Sequence, residues 1–239
     1  TRRSSDLEGR VTTRNPRGEL LVATDQAATA TKDSAPTPED AEPLRQQLAW
    51  AMYYPAVYDL SVACKDAVSA SKQTLERACR LYRQGRITDA IDLLGTEAPA
   101  RDPDLLATLS ALFMEVGRST EAEQTLQKAL EHHPGHGVLL SQLAILELVR
   151  GNSEAAMQLS ERAVASDPGA AACWLARSYT QQAGRDVDGA LGAARHAVKA
   201  EPDNALALAR LAELLLASGQ KKEAFREASR AVRLDPKQP

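Results

Sequence analysis

From about residue 70 onward the chain alternates apolar-faced segments with short breaks of small and polar residues. Residues 136–150 carry Val138, Leu139, Leu140, Leu143, Ile145, Leu146 and Leu148, and residues 154–166 carry Ala155, Ala156, Leu159, Ala163 and Val164. Apolar side chains at i, i+3, i+4 and i+7 predict an amphipathic helix for each. Gly151-Asn152 separates the two, since glycine adopts the left-handed backbone that ends a helix without a Cβ clash. Ser153, like Ser119, is expected to offer its hydroxyl to the orphan amides of the helix that follows. Pro168, after Asp167, stops the second helix.

This two-helix unit recurs. Pro134, Pro168, Pro202 and Pro236 are spaced by 34 residues, as are Ala122, Ala156, Ala190 and Ala224, and again Ala129, Ala163, Ala197 and Ala231. Gly117, Gly151 and Gly219 hold the turn in the same register; in the remaining unit Gly184 falls one residue early and Arg185 takes the turn place. The alanine columns are where two antiparallel helices can approach closely. No unit buries its apolar faces alone, so the units must stack into a solenoid.

The first third of the chain has a different period. Residues 9–15, 19–24 and 27–31 read as short strands, with Asn15-Pro16-Arg17-Gly18 as a turn. Three short strands cannot build a core of their own, so they read as the end of a β-domain. Residues 32–43, Lys-Asp-Ser-Ala-Pro-Thr-Pro-Glu-Asp-Ala-Glu-Pro, form an extended acidic linker. A helix is predicted from Pro43 to Tyr53, ending before Pro55.

Composition narrows the function classes. Hydrophobic residues make up 44% of the 239-residue chain and charged residues 26%, which is a globular balance. Aromatics are only 4%, so the core is built mainly of Ala, Leu and Val. The net charge of −3 lacks the basic footprint of a nucleic-acid binder. No run of 18 uncharged apolar residues predicts a membrane span. The chain opens on Thr1-Arg2-Arg3 without an initiator Met, and we expect it to be a piece of a longer protein or a processed product. Cys64, Cys79 and Cys173 form no CxxC pair and no disulfide framework, and each reads as a small core hydrophobe. The sequence holds no GxxxxGK[ST], HExxH or GxSxG motif and no Cys-His constellation, so we expect no enzyme and no cofactor.

The repeat resembles the tetratricopeptide repeat (TPR), a 34-residue helix-turn-helix. Its columns are a large residue early (Leu106, Leu140, Trp174, Leu208), a small one at position eight (Ser110, Ala144, Ser178, Ala212), Ala at twenty and twenty-seven, and Pro at thirty-two. Five units follow, near 71–102, 103–136, 137–170, 171–204 and 205–236, the first two residues short. The resemblance implies an all-α solenoid over residues 68–236, following a β-stranded remnant at 1–34 and a linker with an aromatic helix at 35–67. It also implies a concave groove lined by the first helix of each unit. Carried across, that groove would be lined by Leu75, Cys79, Tyr82, Ala111, Met114, Ser141, Ile145, Leu148, Leu175, Tyr179, Gln182, Ala209, Glu213 and Leu216. Of these, Leu75, Tyr82, Met114, Ile145, Leu148, Leu175 and Tyr179 are the expected partner contacts; the alternative is that the groove residues touch neighbouring helices and the groove is narrow or self-filled. The Lys and Asn clamp by which some TPR proteins hold a peptide carboxylate is absent, which favours an apolar or amphipathic ligand segment.

Gly9-Arg-Val-Thr-Thr-Arg-Asn, Gly18-Glu-Leu-Leu-Val-Ala and Gln26-Ala-Ala-Thr-Ala together resemble the closing strands of a FecR-type domain, although Asp25 stands where that family has Gly. FecR-type domains are bacterial and periplasmic. A joint arrangement of FecR-type domain and TPR array, linked by a segment like Trp50-Ala-Met-Tyr-Tyr-Pro55, implies a bacterial periplasm or cell envelope.

Three further features are candidate sites. Trp50, Tyr53, Tyr54 and Tyr58 hold four of the nine aromatics and read as a docking strip against the array or as an arm in a groove. His132, His133 and His136 crowd one turn, but metal binding needs imidazoles converging at about 2 Å on one ion, and a solvated turn is expected. Lys221, Lys222, Arg226, Arg230 and Arg233 form a basic stripe broken by Glu223 and Glu227, expected to be a solvated face, with contact to an acidic partner as the alternative. The array reaches Pro236 without a polar capping helix, so either more chain or a partner is expected over Phe225. The functional expectation is a non-catalytic scaffold that binds a protein or peptide, without nucleic acid. The alternative is a structural subunit that self-assembles through the array and the aromatic strip.

Overall fold

The computed structural model describes residues 11–15, 18–22, 56–60, 72–97 and 102–235. The chain divides into two units, Thr1–Tyr54 and Pro55–Pro239. In the first, β1 (Val11–Asn15) and β2 (Gly18–Val22) pair antiparallel, with Val11 opposite Val22 and Asn15 opposite Gly18. The third strand expected at 27–31, the linker and the helix expected over Pro43–Tyr53 lie outside the described residues.

The second unit is all α. Its ten described helices are α1 (Lys72–Arg83), α2 (Ile87–Glu97), α3 (Pro103–Glu115), α4 (Ser119–His132), α5 (Gly137–Val149), α6 (Ser153–Ser166), α7 (Ala171–Ala183), α8 (Val187–Ala200), α9 (Ala205–Ala217) and α10 (Lys221–Leu234). Each odd-numbered helix pairs with the even-numbered helix that follows it, and each pair packs on the next. Successive first helices also touch one another: α3 with α5, α5 with α7, and α7 with α9.

The alanine columns do what small side chains allow. Ala122, Ala156, Ala190 and Ala224 are buried between the two helices of their units. At the turns Gly85, Gly117, Gly151 and Gly219 have φ of +76° to +83°, and Arg185, beside Gly184, adopts φ +64°. Arg185 therefore carries the left-handed residue that glycine supplies elsewhere, against the usual steric penalty.

The helix starts correct one expectation. Ser119 and Ser153 are the first residues of α4 and α6, and no side chain caps either helix; the cap positions are Arg118 and Asn152. Asn152 instead turns its amide to Glu147, at 2.6 Å. Among the second helices α8 is capped by Asp186, which accepts the Gly189 N–H at 2.8 Å, and at the first helices the cap positions Asp102, His136, Ala170 and Asn204 form a column again spaced by 34. Asp102, His136 and Asn204 each accept backbone N–H bonds in the first turn. At α7 the column is interrupted by Ala170, and the Glu201 carboxylate, from the next inter-unit turn, accepts the Ala171 N–H at 2.8 Å. One unit thereby completes the helix start of its neighbour.

Candidate functional site

The inner face of the array is built by α1, α3, α5, α7 and α9. Four of the seven expected contacts do not open onto it. Leu75, Met114, Ile145 and Leu175 are buried in the interior. The cause is the packing of successive first helices: large side chains on facing sides fill the space between them rather than a groove. Cys79 and Ser141 are buried for the same reason, whereas Gln182, Ala209, Glu213 and Leu216 are exposed. Ala111, Leu148, Tyr82 and Tyr179 are half-buried.

Both inner-face tyrosines are already engaged. Tyr82 donates its hydroxyl to Glu115 at 3.0 Å, tying α1 to α3. Burial, and then the adjacent Glu115 charge, push the Tyr82 phenol well above its ordinary value. Burial also raises the Glu115 carboxyl, against the lowering effect of the Tyr82 hydrogen bond. Tyr179 lies beneath the Arg210 guanidinium. Its phenol is pushed up to about 12, chiefly by burial, with Arg210 opposing. The Arg210 side chain reaches back from α9 to Ser178 (Nε to Oγ, 3.1 Å) and Gln182 (Nη2 to Oε1, 2.6 Å), and meets Glu213 at 2.9 Å on its own helix. The inner strip is thus crossed by polar side chains that tie successive first helices together.

An exposed apolar surface lies on α9 and α10, and it takes in Ala209, Glu213 and Leu216 of the expected groove lining. There a groove of about 520 Å³ runs over a floor that includes Ala209, Ala212 and Ala228, with Leu216, Phe225 and Val232 standing above it. Leu216 is 59% exposed, Phe225 77% and Val232 59%. One unit earlier the positions of Phe225 and Val232 are filled. Leu191, 34 residues before Phe225, is 8% exposed, and with Ala194 and Val198 it packs under Leu211, Leu214 and Leu215 of α9. The α9/α10 face is therefore the surface on which each earlier unit receives the next first helix, and nothing among the described residues covers it.

The basic stripe of α10 is not wholly solvated. Glu227 is buried and held by Arg226 and Arg230, each at 2.8 Å. Arg230 also donates to the Pro202 carbonyl at 3.3 Å, as Arg162 does to Pro134 at 3.4 Å two units earlier. Lys221, Lys222 and Arg233 remain exposed at the surface.

The histidine cluster separates. His132 is exposed, whereas His136 is half-buried and accepts the Leu139 N–H on Nδ1 at 3.4 Å. Its role is a helix cap rather than a solvated turn. Among the described residues no three His, Cys, Asp or Glu side chains gather as a metal-binding group. No described helix is long and apolar enough to cross a membrane.

Of the aromatic strip, Trp50, Tyr53 and Tyr54 lie outside the described residues. Tyr58 packs on the array, its hydroxyl 3.4 Å from Thr108 Oγ1 of α3, and burial raises its phenol. Val57, Asp59 and Leu60 beside it are buried, and the Leu60 carbonyl lies 3.9 Å from Cys79 Sγ. The cysteines correct the sequence reading. Cys79 is disulfide-bonded, and Cys173 is the free, buried thiol. Cys64, the third cysteine of the chain, lies outside the described residues. Burial, followed by the Asp167 and Glu201 charges, pushes the Cys173 thiol up to about 12, leaving it inert as a nucleophile.

Comparison with known proteins agrees with this architecture. Two profiles described as tetratricopeptide repeat match residues 113–178 and 175–239. A thermophilic TPR protein of Thermus thermophilus superposes with a TM-score of 0.60 at 22% identity, covering 70% of this chain and 93% of that one. MamA of Desulfovibrio magneticus RS-1 gives a TM-score of 0.45 at 19% identity, covering 72% and 99%. The Thermus thermophilus likeness, at 22% identity, speaks for the fold alone. No curated protein matches the chain significantly in sequence. The two profile matches together span residues 113–239, over half of the chain, and with its 34-residue two-helix units the chain belongs to the tetratricopeptide-repeat family.

Proposed function

We propose that the chain is a non-catalytic protein–protein interaction scaffold that holds an apolar or amphipathic segment of a partner on the α9/α10 face. Tetratricopeptide repeats are in general protein–protein interaction scaffolds. One observation carries it: Phe225 and Val232 are exposed where Leu191 and Val198, one unit earlier, are packed against the next first helix. A contiguous exposed apolar patch of this kind marks a binding surface. The test is photo-crosslinking from position 225 in the source cells, with position 154 on the exposed start of α6 as control. Adducts specific to 225 support the reading; identical patterns from both positions overturn it.

The periplasmic or envelope location is part of the same proposal. The disulfide at Cys79 supports it, because such bonds persist in oxidising compartments. Cys79 that alkylates fully in a fresh lysate without reductant would argue for a reducing compartment. The FecR-type reading of residues 1–34 likewise stands as a proposal, resting on the sequence phrases quoted above. The alternative, a self-assembling subunit, would use the same apolar face and predicts that the solution mass falls in Phe225→Glu.

A further inference from the structure

The α10 residues that line the α9/α10 groove are arranged symmetrically about Ala228. Phe225 stands three residues before it and Ala231 three after, Ala224 four before and Val232 four after, Lys221 seven before and Asp235 seven after. These spacings keep them on one face of the helix. A second α10 laid antiparallel on this one, with a two-fold axis at Ala228, therefore sets each residue against its mirror position. Phe225 meets Ala231 of the other copy, Val232 meets Ala224, and Ala228 meets Ala228. Each large side chain faces a small one, and the alanines at the axis let the helices approach closely.

The floor that α9 supplies fits the same arrangement. α9 runs antiparallel to α10 across the turn at Gly219, so Ala205 and Ala209 near its start lie beside the end of α10. Phe225 of the second copy reaches small residues there, Ala205, Ala209 and Ala231. Phe225 and Val232, both exposed, leave water in such a pair.

The ends of α10 select a second copy over an unrelated helix. The charged residues that line the groove are Glu213, Lys221 and Asp235; Lys222 and Arg233 stand outside the lining. Glu213 is paired with Arg210 of its own helix at 2.9 Å. Lys221 and Asp235 occupy opposite ends of α10, and antiparallel pairing brings Lys221 of each copy to Asp235 of the other. Asp235 is half-buried, and its charge also reaches Tyr82 of α1. The alternation of large and small recurs in α8, where Leu191 and Val198 stand among Ala190, Ala194 and Ala197, because that face also receives a helix. The opposite charges do not recur: the corresponding ends are Val187 and Glu201, Ser153 and Asp167, and Ser119 and His133. Among α4, α6, α8 and α10, only α10 is complementary to itself in charge as well as in shape.

We propose that the α9/α10 face closes a two-fold dimer, in which α10 of one copy packs antiparallel on α10 of the other about Ala228 and Lys221 pairs with Asp235 at both ends. This rests on the reading of the face as a binding surface and names the segment that it holds. Because the same patch serves both copies, the contact closes at two chains and does not extend into a filament. The apolar residues provide the contact area, and the end charges fix the direction and register of the helices.

The test is the solution mass of the full 239-residue chain, followed by light scattering across a concentration series. A dimer that dissociates on dilution is expected, and Phe225→Glu should leave a monomer. Lys221→Glu and Asp235→Lys should each weaken the dimer about tenfold or more, since each sets like charges together at both ends. Neither change acts by melting α10, because an acid at a helix start and a base at its end both favour the helix dipole, and circular dichroism should be unchanged. An equimolar mixture of the Lys221→Glu and Asp235→Lys variants should restore the natural affinity, because the mixed pair regains opposite charges at both ends. A dimer lost in Phe225→Glu but indifferent to the charge variants, or not rescued by mixing them, overturns the antiparallel register and with it the proposal. A dimer that survives Phe225→Glu places the contact elsewhere and overturns it too, as does a mass that keeps rising beyond two chains. A monomer throughout, with adducts of position 225 to another protein in cells, overturns the second copy but leaves the binding surface standing. A monomer throughout without such adducts overturns both readings.

Discussion

The Arg210 guanidinium lies over the Tyr179 ring, 3.8 Å from its centroid, and so joins the last first helix to the one before it. Cation–π contact is strongest where water is excluded, and the Arg210 side chain is only 1% exposed. The same position one and two units earlier holds Ala176 and Gln142. Gln142 makes a comparable reach, its Nε2 donating to the Ala107 carbonyl of α3 at 3.0 Å. A polar side chain at this place in the unit is a cross-link between successive first helices.

Arg210→Ala is expected to lower stability by about 2–4 kcal/mol, through lost hydrogen bonds and the cavity left behind. Arg210→Lys should lose roughly half as much, because an ammonium cannot bond Ser178, Gln182 and Glu213 in the forked geometry of a guanidinium. Glu213→Gln should lose less than about 0.5 kcal/mol, since the Glu213 side chain is more than half exposed and its ion pair is screened by water. Urea midpoints followed by circular dichroism check the order. A Glu213→Gln loss as large as that of Arg210→Ala would assign the effect to the ion pair instead.

His136 makes the start of α5 sensitive to pH. Its Nδ1 accepts the Leu139 N–H, which only the neutral ring can do. Burial is the main force holding its pKa below the ordinary value; Asp104, 3.9 Å from Nε2, and Asp167 oppose the shift, and His133 adds to it. The unfolded chain therefore takes up this proton first, at the ordinary imidazole pKa of about 6.5. The contribution of the cap is complete above that value and is lost as pH falls through it towards the lower folded value. A side-chain cap is worth about 1 kcal/mol. His136→Asn, with the side chain that already caps α9 at Asn204, should match the natural chain at pH 8 and exceed it at pH 5.5. Thermal midpoints that fall in parallel for both proteins would remove His136 as the cause.

Much of the architecture was legible because a 34-residue period repeats the same physics four times. The alanine columns, the glycine turns and the two-helix unit all follow from spacing. The inner-face residues were harder to read, since whether position nine of a first helix faces solvent or a neighbour depends on how tightly successive units stack. Ile145 and Tyr179 share that position, and only Ile145 is fully buried. The cap column at Asp102, His136, Ala170 and Asn204 was visible at the period but was masked at His136 by the neighbouring His132 and His133. Gly137 is another case. Ala171 and Ala205 stand at the same place in later units, which suggests that alanine is interchangeable there. A Cβ at Gly137 would nevertheless fall 2.7 Å from Asp167 Cβ and 2.9 Å from Cys173 Sγ, a crowding that the period alone does not disclose. Phe225 needed no such detail: it is the aromatic of α10, 34 residues after Leu191, and the period alone puts it in that apolar column.

Arg185 offers the clearest stabilising change. It holds φ +64° at the turn between α7 and α8, where the other units use glycine, and it is exposed. A left-handed conformation costs an L-residue with a side chain about 1–2 kcal/mol. Glycine removes that strain but makes the unfolded chain freer, which offsets about 0.5–1 kcal/mol. Arg185→Gly should therefore gain roughly 0.5–1 kcal/mol, a rise of about 2–3 °C in the thermal midpoint for a chain of this size. The backbone bond from the Arg185 N–H to the Gln182 carbonyl, at 2.9 Å, is retained in the variant. The adjacent Gly184 has no positive φ, and an added Cβ there would lie 3.4 Å from the flexible Met157 Cε and from the Gln181 carbonyl, a tight but adjustable contact. The double change Gly184→Ala with Arg185→Gly should accordingly match or exceed the single one and bring this turn into the register of the others. A midpoint that drops in Arg185→Gly would mean that the turn gains more from a stiff residue in the unfolded chain than it loses to the strained backbone.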